Sequence, residues 1–533
     1  MSILIQGGTI VDGSGNAPFT GDIFIEGNVI KSAGAHYTGA ADELIYAGGK
    51  VVCPGFIDLH RHCDTAALAD NFGLIEISQG ITSCFTGNCG MAPVPNRPET
   101  RPALQNYLDP CLGDFSCETF RTPAEYAARL RSAPLPINIG FYAGMGAIRI
   151  ACKGFDSSPF TPAQMEEARA YLRESLDCGA AGMSIGLMYV PEAYCSTSEI
   201  AALARVMNGS KGILCAHMRW ETEHLVKAVR EVITIAKEAG VPLEISHFKA
   251  AGIKAWGGIL REAIDLIESE RARGCDITVD FYPYDCGSST MLQMLPPSYL
   301  AGGLEESIAG LCKSANIDRI RKLLVEGEPG WDNLSQTIGW DRTIVSSAGL
   351  AENKKFIGKT VTACAREFGF SDEVEFVAQL LYSENGKVSI INRSMSQDDI
   401  DTIARLPYSS LISDALYGPA QNPHPRLYGA FPRFLRAFVR ERNVLDLPTA
   451  IRKMTSQPAA RAGLPSRGLL RPGYHADVIV FDSANFQDNA DYSAAAQISS
   501  GLDYAIIGGR IVYHAGKLLC RNAGSVLQGA RPS

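Results

Sequence analysis

Short apolar runs alternate with amphipathic stretches through most of this chain. Residues 137–142, 182–187, 213–217, 242–247 and 277–282 read as buried strands. Between several of them, residues 162–178, 221–239 and 259–273 place apolar side chains every three or four positions, the spacing of a helix packed on one face. Strand–helix alternation predicts a parallel sheet with its helices outside. Enough units are present for eight, and the roughly 400 residues involved fit a (β/α)8 TIM barrel with insertions. A doubly wound open sheet is disfavoured, because no Gly-rich phosphate loop of the dinucleotide kind follows the first strand.

The two ends have a different rhythm. Ile3, Leu4, Ile5 and Thr9, Ile10, Val11 run into the turn Asp12-Gly13-Ser14-Gly15, and the same idiom returns at 476–482 and 508–513. One small β-sandwich domain assembled from residues 1–53 and 468–533 is expected, around a barrel of 54–467. From 285 to 347 the alternation breaks at Pro296-Pro297 and resumes with a helical pattern at 317–326. That stretch reads as an inserted lid-like segment after a barrel strand, where specificity loops belong.

Composition narrows the partners. The chain has 533 residues, 46% hydrophobic and 20% charged, with net charge -8. No concentrated basic surface is implied, so neither nucleic acid nor an anionic membrane is an expected partner. No apolar run reaches the length of a membrane span. The first residues, MSILIQGGTIVDGSG, lack the basic start and apolar core of a secretory signal. With 15 scattered cysteines, an odd count, the expectation is reduced thiols in a cytoplasmic protein acting on a small molecule. Oligomeric state is left open.

The candidate chemistry gathers at strand ends. In Gly55-Phe56-Ile57-Asp58-Leu59-His60-Arg61-His62, strand alternation would turn Asp58, His60 and His62 the same way. Residues 213–217 and 243–247 are apolar runs that each finish on a histidine, His217 and His247, and residues 410–414 finish on Asp414. The carboxyl ends of barrel strands are where TIM-barrel active sites are built, so four histidines and an aspartate there predict a metal site. A single histidine pair on a half-buried strand would be read as ordinary hydrogen-bonded core. Cys89, in Thr86-Gly87-Asn88-Cys89-Gly90, has glycine on its far side and two residues before it, and a thiolate there would be a strong zinc ligand.

These motifs resemble the amidohydrolase superfamily and, within it, the D-aminoacylase (N-acyl-D-amino-acid deacylase) family. The resemblance rests on residues 55–62, 79–82 with 87–90, His217-Met218-Arg219, Ser246-His247-Phe248-Lys249, Tyr282-Pro283-Tyr284, Ser413-Asp414 and His424-Pro425-Arg426-Leu427-Tyr428-Gly429, and continues through 452–455 into 473–482. It implies that Cys89, His217 and His247 hold a tight Zn2+, and that His60 and His62 line a second, weaker metal position able to share Cys89. It further implies that Asp414 is the catalytic base and acid, and that Arg426, Lys249, Tyr189, Tyr282 and Ser288 grip the substrate's carboxylate and carbonyl, with Ser289 adjacent to the last.

Three positions depart from the family pattern: Arg61 between the histidines, Ala415 where glycine follows the aspartate, and Met145 where histidine is common. The implied reaction is zinc-dependent hydrolysis of the amide of an N-acyl-D-amino acid, Asp414 taking a proton from water and returning it to the amine. Rivals are a cyclic-amide hydrolase of the hydantoinase type, a non-catalytic barrel scaffold, and a thiol hydrolase using Cys89 as nucleophile.

Overall fold

The computed structural model describes residues 2–210, 212–329, 331–418, 422–492 and 494–529. Strands Phe56–Asp58, Ile81–Thr86 and Asn138–Phe141 pair in parallel. Beyond Tyr142 the chain enters a six-stranded parallel sheet of Ala143–Gly144, Gly182–Gly186, Ile213–His217, Leu243–Ile245, Ile277–Phe281 and Ser409–Leu411. Every pairing runs parallel, so all of these strands end on one rim. Past the last strand, Asp414 N donates to His60 O at 2.9 Å, and Ala415–Leu416 pairs in parallel with Arg61–His62.

The helices between strands start and stop where local chemistry dictates. In Pro162–Asp177, Thr161 Oγ1 accepts from Gln164 N and the Gln164 side chain returns to Thr161 N, with Pro162 opening the first turn. Leu225–Ala239 buries Val229, Val232, Ile233 and Ala236 against the sheet and stops at Gly240, whose left-handed φ of 70° suits only glycine comfortably. Each fully buried aliphatic side chain contributes about 1.5–3 kcal/mol.

The two ends of the chain build one nine-stranded sheet. Val478–Phe481 runs antiparallel beside Val51–Pro54, which follows Ser2–Ile10, Phe19–Glu26 and Val29–Gly34. The apolar faces of these strands form a core of their own, including Ile3, Ile5, Ile23, Ile25, Val52, Val478 and Ile506.

A third core lies in the segment expected to be inserted. Cys286–Thr290, Thr343–Ser347 and Ser389–Arg393 make an antiparallel sheet, and residues from Met291 to Ile390 pack into a separate cluster. The returning strand Ser389–Arg393 pairs with both earlier strands, so this unit runs on past 347 to Arg393. Among the described residues no helix is long and apolar enough to cross a membrane.

One expectation from alternation needs correcting. The first strand is interrupted between Asp58 and Arg61, and Asp58 does not face the cleft with the histidines. Asp58 instead accepts from Ser413 N at 3.0 Å and lies 3.5 Å from Arg61 Nη1. Arg61 points away from the rim and is fully buried, donating to Glu76, Tyr417, Ser413 and the Leu427 carbonyl.

Candidate metal centre

His217 is the last residue of Ile213–His217, His247 lies two past Leu243–Ile245, and Asp414 lies three past Ser409–Leu411. Cys89 lies three past Ile81–Thr86, and His60 and His62 follow Phe56–Asp58. All six are buried. Cys89 Sγ stands 3.2 Å from His60 Nε2 and 3.5 Å from His247 Nε2. Asp414 Oδ1 lies 3.4 Å from both His60 Nε2 and His62 Nε2.

Three sets have ligand atoms close enough to share one ion: His60 with Cys89 and His247, His60 with His62 and Asp414, and His217 with Glu221 and His247. The grouping differs from the division the resemblance implies, since His60 stands with Cys89 and His247 and His217 falls in another set. Both ring nitrogens of His217 are buried without a hydrogen-bond partner, as are Nδ1 of His60 and of His62. Orphaned buried nitrogens of this kind call for a partner the protein itself does not supply.

The backbone is strained where the chemistry gathers. Six non-glycine residues among those described have positive φ, and three of them are Cys89 (55°), His247 (35°) and Asp414 (50°). Such conformations cost about 1–3 kcal/mol each and persist only where surrounding contacts fix them. Gly90 N is held by Ser184 Oγ at 3.0 Å, His247 N donates to the Asp280 carboxylate, and Asp414 N donates to His60 O. Since the left-handed residue is Asp414 itself and Ala415 begins an extended pairing, Ala415 needs no glycine there. Met145 is fully buried at the start of helix Met145–Lys153.

Electrostatics prepare the same groups. Burial holds His217 and His247 well below the ordinary histidine range, so both imidazoles are neutral and able to ligate. Burial pushes the Cys89 thiol far above its usual value, so its thiolate forms only beside a cation. Burial also raises the Asp414 carboxyl, but Arg426 and His60 outweigh it and hold the group well below the carboxylate range.

The remaining predicted residues line the same cleft. Arg426 Nη1 stands 2.8 Å from Asp414 Oδ2 as an ion pair, off the line of a good hydrogen bond, and Nη2 donates to the Ser288 carbonyl at 3.3 Å. Its Nε, also buried, has no hydrogen-bond partner. Its guanidinium lies 4.8 Å over the Tyr282 ring. Lys249 Nζ donates to Glu221 Oε1 at 2.6 Å and lies 2.8 Å from His247 Nδ1. Tyr189, Ser288 and Ser289 border the same space, and it is the carbonyl of Ser288 that engages Arg426.

Sequence reasoning missed Glu221 and Asp280. Glu221 Oε1 lies 3.2 Å from His247 Nδ1, and Asp280 Oδ2 lies 3.7 Å from His60 Nδ1. Carboxylates behind ligating histidines fix ring orientation and raise basicity. Asp280 was legible, as a carboxylate near the end of the predicted strand 277–282; Glu221 lies in a loop with no pattern to mark it.

The amidohydrolase family model matches residues 391–513. An N-acyl-D-aspartate deacylase of Alcaligenes xylosoxydans xylosoxydans is 33% identical over 98% of this chain and 94% of its own length, and a D-aminoacylase from the same source is 32% identical over 98% of each. The chain belongs to the D-aminoacylase family of amidohydrolases. Among solved structures, a D-aminoacylase that defines a novel subset of amidohydrolases superposes with a TM-score of 0.81 at 30% identity over 99% of both chains. The N-acyl-D-glutamate deacylase of Bordetella bronchiseptica, solved with zinc and a phosphonate mimic of the tetrahedral intermediate, superposes at 0.83 with 27% identity, again over 99% of each. Dihydropyrimidinase of Brevibacillus agri, at 14% identity and a TM-score of 0.53, shares the fold alone.

Proposed function

We propose that this chain is a zinc-dependent deacylase that hydrolyses the amide bond of N-acyl-D-amino acids. The observation that carries the proposal is the convergence of Cys89, His60, His62, His217 and His247 with Asp414 and Arg426 in one buried cleft. The likeness to D-amino-acid deacylases over nearly the whole chain supports the substrate class and its D configuration.

The donor set fits zinc. Imidazole nitrogen and thiolate sulfur are its preferred ligands, and neutral imidazoles with orphaned nitrogens stand ready. The resemblance gives Cys89, His217 and His247 the tight site and His60 and His62 a second, weaker one, while the spacing of the ligand atoms favours His60 with Cys89 and His247. Zinc, when bound, supplies a Lewis acid that acidifies water and polarises a carbonyl.

The chain's own residues do the rest. Asp414, held ionised by Arg426, accepts the proton of the attacking water at its carboxylate and returns it to the departing nitrogen. Arg426 offers its buried Nε–H, which has neither a hydrogen bond nor an ion pair, to the substrate's carboxylate. Lys249, kept charged by Glu221, and Tyr282 face the same space, while Tyr189 and the Ser288–Ser289 pair border the carbonyl end.

Architecture follows the same reading. With Asn138–Phe141 and Ala143–Gly144 counted as one strand, the parallel strands are read as the eight of a closed TIM barrel over residues 54–467, supported by the bonds between the first strand and the last. Residues 1–53 and 468–533 are read as a small β-sandwich, supported by their shared core, and the segment from 285 to about Arg393 as a lid. A cytoplasmic setting is supported by 15 free cysteines.

A hydantoinase-type reading has only a likeness of fold behind it. A thiol hydrolase would need Cys89 ionised, which burial opposes. Turnover of N-acetyl-D-amino acids but not their L enantiomers by the zinc-loaded protein is the expected result. Equal turnover of both, or turnover of hydantoins only, would refute the proposal.

A further inference from the structure

Cys89 and Gly90 are consecutive left-handed residues, with φ of 55° and 72°. The turn that aims the Cys89 thiol therefore depends on what packs behind it. Gly186, the last residue of Gly182–Gly186, lies against the Cys89 carbonyl, so close that a Cβ there would collide with the oxygen. Ala147 N, in helix Met145–Lys153, donates to Gly90 O at 3.3 Å.

One side chain sits among these elements. Glu192 is fully buried, and its Oε1 accepts from Gly186 N at 3.1 Å. Gly186 lies past the pairing of Ala143–Gly144 with Met183–Ser184, and the carboxyl takes the place of a strand acceptor for its N–H. Glu192 Oε2 has no hydrogen-bond partner and rests against Gly90, where a Cβ would claim the same space; a Cβ on Gly146 would lie 2.8 Å from that oxygen. Burial favours the neutral acid, so the group sets no second negative charge beside the thiolate. An unpartnered carboxyl oxygen in a dry interior is costly, and filling the space would need only an apolar side chain of the same length.

Glu192 also ties in the neighbouring strand ends. It opens the short turn Glu192–Tyr194, in which Cys195 N donates to Glu192 O at 2.9 Å and Ala193 N to Tyr189 O at 2.7 Å. Arg219, two residues past His217, donates to Ala193 O at 2.6 Å and to Cys195 O at 2.9 Å. The Cys89 turn, the Tyr189 segment and the residues after His217 thus meet around one carboxyl.

Resting on the reading of Cys89 as a zinc ligand, we propose that Glu192 is a positioning residue for the metal centre, holding the Cys89–Gly90 turn where the thiolate can ligate. Groups that orient a ligand from behind change metal affinity by about tenfold to a hundredfold when removed.

The test uses the full chain as wild type, Glu192→Gln, Glu192→Met and Glu192→Ala. Zinc affinity is measured by competition with a chromophoric chelator, and thiolate ligation from the charge-transfer absorption of the cobalt(II)-substituted protein. Glu192→Gln keeps the length and an acceptor for Gly186 N, and should match the wild type in both. Glu192→Met keeps the length without a good acceptor, and Glu192→Ala also empties the space beside Gly90. Both should weaken zinc binding by about tenfold to a hundredfold and diminish the absorption band. Methionine fills the space of the glutamate, so Glu192→Met decides the matter should Glu192→Ala fail to fold. Unchanged affinity and absorption in Glu192→Met, or Glu192→Gln as impaired as Glu192→Met, would overturn the positioning role. Neither readout uses turnover, so an inactive wild type with an intact thiolate band would refute the deacylase reading alone. A wild type without that band would remove Cys89 from the metal, and the positioning role with it.

Discussion

Arg426 offers the sharpest perturbation, because its surroundings give it two separable jobs. It is 1% exposed, ion-paired with Asp414 through Nη1, bonded to the Ser288 carbonyl through Nη2, and retains Nε and Nη1 without hydrogen-bond partners. Arg426→Lys keeps the charge but loses the planar fork. Each charge-assisted hydrogen bond to a substrate carboxylate is worth about 1.5–3 kcal/mol, so losing the one that Nε can supply costs about tenfold to a hundredfold in kcat/KM. The assay compares N-acetyl-D-phenylalanine with its amide, which lacks the carboxylate. Arg426→Lys should cut the acid-to-amide preference by about tenfold to a hundredfold with little change in Tm. Arg426→Gln removes the charge as well. Arg426 holds the Asp414 carboxyl down, so its loss raises that pKa, and the acid limb of the pH–rate profile should move to higher pH. Parallel loss on acid and amide, together with a fall in Tm, would show that Arg426 merely ties the His424–Pro425 loop to the rim and would refute the clamp.

Asp414→Asn keeps the shape but cannot accept a proton, so kcat should drop by roughly 10²-fold or more with zinc content unchanged; a near-normal kcat removes Asp414 from the reaction. Burial pushes the Glu192 carboxyl from 4.5 up to about 8, so between those values the folded state holds a proton that the unfolded chain has released. Stability should therefore fall as pH rises through that window, by up to a few kcal/mol, and Glu192→Gln should flatten the slope in calorimetry from pH 5 to 8; an unchanged slope contradicts the assignment. Asp332→Ala deletes three hydrogen bonds to the 221–222 loop and should cost about 3 kcal/mol of stability in urea unfolding. A loss below about 0.5 kcal/mol, the scale of an ordinary surface change, would mean the latch is immaterial.

Much of the fold was legible because burial repeats with the period of each element. The runs at 137–142, 213–217 and 277–282 lie within a residue of the observed strands, and the helices end at a capping residue or glycine the sequence displays. Histidines closing apolar runs were legible for the same reason, since a polar side chain ending a buried strand must meet something. What escaped was non-local or conformational. Ser389–Arg393 completes the inserted sheet from 42 residues beyond Ser347, and no local signal assigns a returning antiparallel strand. The break after Asp58, which turns that carboxylate to Ser413 and Arg61, arises from contacts about 350 residues away. Left-handed backbone at Cys89, His247 and Asp414 was invisible, because it is imposed on non-glycine residues by their surroundings. The Asp332–Glu221 contact joins segments more than 100 residues apart and leaves no mark in either.

Metal dependence of stereospecific amide hydrolysis tests the central claim most directly. The protein is stripped with a chelator, its metal content measured by elemental analysis, and turnover of N-acetyl-D- and N-acetyl-L-amino acids followed as zinc is added back. Turnover should vanish in the stripped protein, return as the first equivalent of zinc binds, and be confined to the D enantiomers. Full activity in protein verified to be free of metal would contradict the account.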